Sequence, residues 1–170
     1  MKKRSAFSVQ RSVSHSESET MEFAKEFAHM LRGGEVVLLD GELGSGKTTF
    51  VRGMARAFGI REPIRSPTFT LMHVHRVAHR KPQTANRRKA VSGRRLAVRQ
   101  FVHVDAYRLR GSNELRAIGI EEYLGRKDTV VVIEWGEKAR RLVEQKYRIG
   151  ISFKHAGLTK RRIYFSYGTS

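Results

Sequence analysis

Val36-Val37-Leu38-Leu39-Asp40-Gly41-Glu42-Leu43-Gly44-Ser45-Gly46-Lys47-Thr48 is the stretch on which the fold turns. Val36 to Leu39 is a short, continuously apolar run, the pattern of a strand buried on both faces. The next eight residues match G-x-x-x-x-G-K-[ST], the phosphate-binding P-loop, or Walker A motif. Its glycines let the backbone wrap tightly, so that successive N–H groups converge on phosphate oxygens. The helix predicted from about Lys47 to Phe58 adds the positive end of its dipole. Gly41, Glu42, Leu43, Gly44, Ser45, Gly46, Lys47, Thr48 and Thr49 are therefore the candidate nucleotide-binding residues. Lys47 would place its charge on the β- and γ-phosphates. The Thr48 hydroxyl is a hard oxygen suited to Mg²⁺, and Thr49 is placed to meet the α-phosphate. A chance match is expected in roughly one chain of this length in a hundred.

Upstream of the motif, Ser16 and Glu19 fit a capping box. Met21, Ala24, Phe27, Ala28 and Leu31 follow at helical spacing. Downstream, Thr68 to His75, Phe101 to Asp105 and Thr129 to Ile133 read as strands. Ser112 opens a short helix, and Ile149 to Phe153 with Ile163 to Tyr167 read as a final hairpin. Alternating buried strands and helices imply a layered α/β domain with a mainly parallel central sheet flanked by helices. Residues 1–15 read as a basic N-terminal segment, and 16–170 as the domain.

Two carboxylates close predicted strands, Asp105 after Phe101-Val102-His103-Val104 and Glu134 after Val130-Val131-Val132-Ile133. In open α/β sheets, ligands bind at the carboxyl ends of the parallel strands. Either acid could order magnesium with Thr48 or orient an attacking group. Trp135 follows Glu134 and is a candidate wall of the nucleotide pocket. His73, His75 and His79 fall near His103 and Asp105 along the predicted strands, so a metal site is conceivable there, though exposed hairpin histidines are the plainer reading.

The chain has 170 residues with 34 Lys+Arg against 16 Asp+Glu, a net charge of +18. Such an excess favours polyanionic partners. Half of it lies in Arg76, Arg80, Lys81, Arg87, Arg88, Lys89, Arg94, Arg95 and Arg99, a stretch without an acid. That stretch, 76–99, reads as an inserted basic loop able to meet nucleic-acid phosphates with little sequence preference. With no Cys, the chain carries neither disulfides nor a thiol nucleophile. No apolar run is long enough to cross a membrane, and a soluble, cytoplasmic protein is expected. Guanine-reading Asn-Lys-x-Asp and the Leu-Ser-Gly-Gly-Gln of transporter ATPases are both missing, which disfavours those classes. G-x-G-x-x-G is missing too, which disfavours a dinucleotide fold. A nucleotide-dependent RNA-binding module and a small-molecule kinase, its lid the basic loop, remain as alternatives to an ATPase.

GELGSGKTTFVRG (Gly41 to Gly53), SPTFTL (Ser66 to Leu71), HVDAYRL (His103 to Leu109), NELRAIGIEEYL (Asn113 to Leu124) and IEWGEK (Ile133 to Lys138) occur in this order. Together they resemble the bacterial TsaE (YjeE) family, the P-loop ATPases of tRNA threonylcarbamoyladenosine biosynthesis. The resemblance implies ATP and Mg²⁺ as ligands, with Lys47 and Thr48 as the phosphate- and magnesium-binding pair. It makes Asp105 the acid near magnesium, Glu134 the glutamate required for hydrolysis and Trp135 the tryptophan beside the nucleotide. Ser66 and Thr68 correspond to a switch facing the γ-phosphate. TsaB and TsaD are the implied partners; TsaD modifies adenosine 37, and the ATPase supports repeated turnover. Glu42, Ser45 and Gly136 depart from the usual Asp, Ala and Pro. Gly136 is expected to loosen the turn that carries Glu134.

Overall fold

The computed structural model describes residues 10–64, 70–77 and 98–167. Seven strands form one sheet: β1 (Gln10–Ser14), β2 (Val36–Asp40), β3 (Met72–Arg76), β4 (Gln100–Asp105), β5 (Thr129–Glu134), β6 (Arg148–His155) and β7 (Arg161–Tyr167), in the order β1-β7-β6-β2-β5-β4-β3. β6, β2, β5 and β4 run parallel through the middle. The outer strands are antiparallel, β3 on β4 at one edge and β7, then β1, at the other. The mainly parallel centre and the C-terminal hairpin β6–β7 are those read from the sequence.

β2 and β5 are central because their sequences, VVLLD and TVVVIE, supply apolar side chains to both faces. α1 (Glu17–Met30) and α2 (Lys47–Ala57) cover one face. There Phe27, Phe50, Phe153 and Phe165 pack ring against ring with Val37, Leu39 and Ile151. The other face is covered by α3 (Ser112–Ala117) and three short 3-10 turns, over Val36, Leu38, Val102, Val104, Val131 and Ile133.

The α1 entry follows the sequence signal. Ser16 Oγ accepts the Glu19 N–H at 3.1 Å, while the Glu19 carboxylate reaches back to the His15 N–H at 2.7 Å. That is a capping box displaced by one residue. Ser112 does not cap α3; Gly111 holds the cap position, and Glu114 accepts the Arg110 N–H instead. Gln10–Ser14, which the sequence places in a terminal segment, is the edge strand β1, registered on Arg161 to Phe165. Its polar QRSVS lacks a strand signal of its own, and pairing with β7 supplies one. Among the described residues no helix is long and apolar enough to cross a membrane.

Candidate functional site

The P-loop joins β2 to α2 at the carboxyl end of the parallel strands. Gly41, Gly44 and Gly46 take φ of +144°, +72° and +105°, a region that L side chains rarely adopt. A Cβ at Gly41 would lie 2.7 Å from the Phe153 carbonyl oxygen and 2.9 Å from Ser45 Oγ, whereas at Gly44 it would meet nothing within 4 Å. The loop is thus packed underneath and open above, the shape of a phosphate cradle. Glu42, Leu43 and Gly44 are exposed along its rim. Ser45 is wholly buried below, its hydroxyl without a hydrogen-bond partner. Arg161 of β7 steadies the loop by donating to the Gly44 carbonyl at 3.3 Å.

Lys47 Nζ donates to the carbonyls of Gly41 at 2.7 Å and Glu42 at 2.9 Å. It also lies 4.1 Å from the centre of the Trp135 ring, a cation–π distance. Burial lowers its pKa below the usual lysine value, opposed by the charges of Glu134, Asp105, Glu137 and Asp40. Thr49 is buried at the start of α2.

Two-residue periodicity sets the facing acids. Phe101, His103 and Asp105 of β4 share a face with Val130, Val132 and Glu134 of β5, and α2 covers that face. Asp105 and Glu134 are register partners. Both are nearly inaccessible, at 6% and 3% exposure. Thr48 Oγ1 lies 3.0 Å from Glu134 Oε1 and 2.9 Å from Oε2. Asp105 Oδ1 accepts the Tyr107 N–H at 3.0 Å. His103 Nε2 lies 2.9 Å from Glu134 Oε1.

The donor set fits a magnesium nucleotide. A threonine hydroxyl has one proton to donate and two lone pairs. Thr48 can give its proton to Glu134 and still offer oxygen to a cation. Mg²⁺ takes one or two carboxylates plus phosphate oxygens rather than an all-protein cage. Consistently, the described residues contain no group of three His, Asp or Glu placed to hold a metal by themselves. His73 and His103 are register partners, but His73 bonds Thr70 and His75 bonds Glu62. The histidine-rich hairpin thus carries no metal group among the described residues; His79 lies outside them, as do Ser66, Thr68 and residues 78–97 of the basic stretch.

Trp135 takes φ +60° and turns the chain from β5 into the 3-10 turn Gly136–Ala139. Its ring lies 5.1 Å from that of Tyr107. Gly136 does not loosen this turn. It is buried, and a Cβ there would stand 2.5 Å from Leu38 Cβ. Close approach to β2 fixes the position, and Asp40 anchors it further by accepting the Glu137 N–H at 2.8 Å. Lys138 crosses to the Ala106 and Tyr107 carbonyls at 2.9 and 2.6 Å, binding the turn to the end of β4. His103, Lys138 and Arg161 are the contributors that sequence reading does not assign. His103 carries a faint signal there, an imidazole two residues before a strand-end acid and so on the same face.

A four-stranded parallel core with a glycine loop between β2 and α2 and acids at the neighbouring strand ends is a P-loop fold. YdiB of Bacillus subtilis has a solved structure that matches over 96% of this chain and 90% of its own, with a TM-score of 0.69 and 26% identity. The family model described as threonylcarbamoyl adenosine biosynthesis protein TsaE matches residues 14–163. The tRNA threonylcarbamoyladenosine biosynthesis protein TsaE of Streptomyces coelicolor is 37% identical over 132 residues, covering 76% of each chain. The protein of the same name from Treponema pallidum is 35% identical over 144 residues, covering 85% of this chain and 90% of its own. The chain belongs to the TsaE family.

Proposed function

We propose that this chain binds ATP with Mg²⁺ and hydrolyses it to ADP and phosphate, as an accessory ATPase of tRNA threonylcarbamoyladenosine formation acting on a TsaB–TsaD complex. One observation carries the ATPase reading: Thr48, on the helix that follows the glycine loop, meets Glu134, 86 residues away, at 2.9 Å. In this reading the contact sets a carboxylate beside the hydroxyl that would face a magnesium-bound γ-phosphate. Family membership supports the pathway, and with it the partners.

Each residue has a physical role in this reading. Loop N–H groups and Lys47 bind the phosphates, Lys47 exchanging its two carbonyl partners for phosphate oxygens. Thr48 and Asp105 would hold Mg²⁺, which when bound would supply charge neutralisation to the phosphates. Glu134 lies against the Thr48 hydroxyl and is placed to orient water for attack in line with the leaving ADP. Trp135 and Tyr107 wall the nucleotide side. Ser66 and Thr68 are proposed to sense the γ-phosphate, and the basic stretch 76–99 to contact tRNA phosphates. A cytoplasmic location follows from the pathway.

The test is calorimetric titration with ATP and Mg²⁺, followed by co-purification with TsaB and TsaD with and without nucleotide. Micromolar-range binding and nucleotide-dependent retention are expected. Failure to bind ATP would overturn the reading. Phosphorylation of an added small acceptor, rather than phosphate release to water, would favour the kinase alternative.

A further inference from the structure

His103 is wholly buried in β4. Nε2 sits 2.9 Å from Glu134 Oε1, and Nδ1 has no hydrogen-bond partner. These two facts fix the tautomer. A proton on Nδ1 would be an unpaired buried donor, at a cost of about 1–3 kcal/mol. A proton on Nε2 meets a carboxylate oxygen instead. Of the two ring nitrogens, Nε2 is therefore the donor, and Glu134 the acceptor.

Glu134 itself is 3% exposed, so its charge needs hydrogen bonds from the protein. It has two such side-chain partners, Thr48 and His103. They differ in kind. Thr48 belongs to the ligand-binding loop and helix, and its hydroxyl must also serve the nucleotide. His103 sits inside β4, whose ladder with β5 pairs Gln100 to Asp105 with Thr129 to Glu134 without a break. Its Cα partner is Val132, two residues before Glu134 on the same face. The imidazole is thus held by the sheet and stays fixed while the loop exchanges ligands.

We infer that His103 is a positioning residue for Glu134: its Nε2–H holds the carboxylate at Oε1, so that Oε2, which the Thr48 hydroxyl also reaches, is turned toward the attacking water. This rests on the ATPase reading above and goes beyond it, because it assigns the aim of the carboxylate to an imidazole on the neighbouring strand. A group that only aims a catalytic carboxylate affects turnover and leaves substrate binding alone.

The experiment compares His103→Leu, His103→Gln and His103→Asn in the full chain, measuring Mg²⁺-ATP affinity by calorimetry and phosphate release separately. The Gln amide nitrogen reaches about as far as imidazole Nε2, whereas the Asn nitrogen stops near Nδ1. His103→Leu and His103→Asn should release phosphate roughly tenfold to a hundredfold more slowly, the range for losing a supporting partner of a site residue. ATP affinity should stay within about threefold. His103→Gln should recover most of the rate. Adding His103→Leu to Glu134→Gln should cost little more than Glu134→Gln alone, because the partner to be aimed has changed. If His103→Leu fails to fold, the Gln and Asn pair, both polar and of similar bulk, decides the matter. Equal rates in Gln and Asn, or additive losses in the double variant, would overturn the inference while leaving the ATPase reading standing. Absence of hydrolysis by the wild type would overturn both.

Discussion

Lys47 is held by its own loop, through the Gly41 and Glu42 carbonyls, and lies on the Trp135 ring. Those contacts keep the amine pointing at the cradle despite a burial that disfavours its charge. No other P-loop side chain brings a full positive charge. Lys47→Ala should weaken ATP binding by tenfold or more, about 1.4 kcal/mol; unchanged affinity in calorimetry would remove Lys47 from the phosphate site. Asp105 is placed for a different phenotype. Asp105→Asn keeps the shape and the acceptor for the Tyr107 N–H but loses charge beside the proposed magnesium position. Both affinity and rate should recover at raised magnesium. A variant still inactive at saturating Mg²⁺ would make Asp105 the catalytic carboxylate. At this scale, contiguous chemistry is legible in sequence: Gly41 to Thr49 is one uninterrupted signal. Glu134 and Asp105 were readable because each ends an apolar run. The His103–Glu134 bond was not, because it depends on how two strands 31 residues apart register.

Elements meet where side chains are missing. Gly53 lies inside α2, and a Cβ there would stand 2.4 Å from the Met21 carbonyl oxygen and 2.6 Å from Ala24 Cβ of α1. Alanine improves helix propensity by about 1 kcal/mol. Forcing a methyl into backbone contact costs about 1–3 kcal/mol or more. The clash should prevail in Gly53→Ala, which should melt several degrees lower; a higher melting temperature would mean that α1 and α2 pack less closely. Helix spacing and the capping box revealed α1 and α2 individually, but the requirement for Gly53 appears only when they cross. Strand β1 shows the converse. QRSVS carries no apolar run, so its structure comes from the β7 partner rather than from its own residues. The 3-10 turn after Trp135 is set by Gly136 against Leu38, a contact 98 positions apart that no local pattern announces.

Where β3 ends and β4 begins, the Val77 N–H donates to the Arg99 carbonyl at 2.9 Å. Asp105 stands at the opposite end of β4, roughly 17 Å away at about 3.3 Å per residue. Replacing Arg80 to Arg95 with a short Gly/Ser linker should leave ATP affinity within tenfold at moderate salt, while lowering any affinity for tRNA and its salt dependence. A larger fall in ATP affinity would make the stretch a lid and favour the kinase alternative.

The most direct test of the account is phosphate release from Mg²⁺-ATP by the wild-type chain and by Glu134→Gln, with ATP affinity measured on the same preparations. Glutamine keeps the shape of the side chain and can still bond Thr48 and His103, but it cannot act as a carboxylate toward water. The account predicts equal or slightly tighter ATP binding and phosphate release slower by roughly 10²-fold or more, the scale for losing a general base. Normal hydrolysis by Glu134→Gln, or no hydrolysis by the wild type, would contradict it.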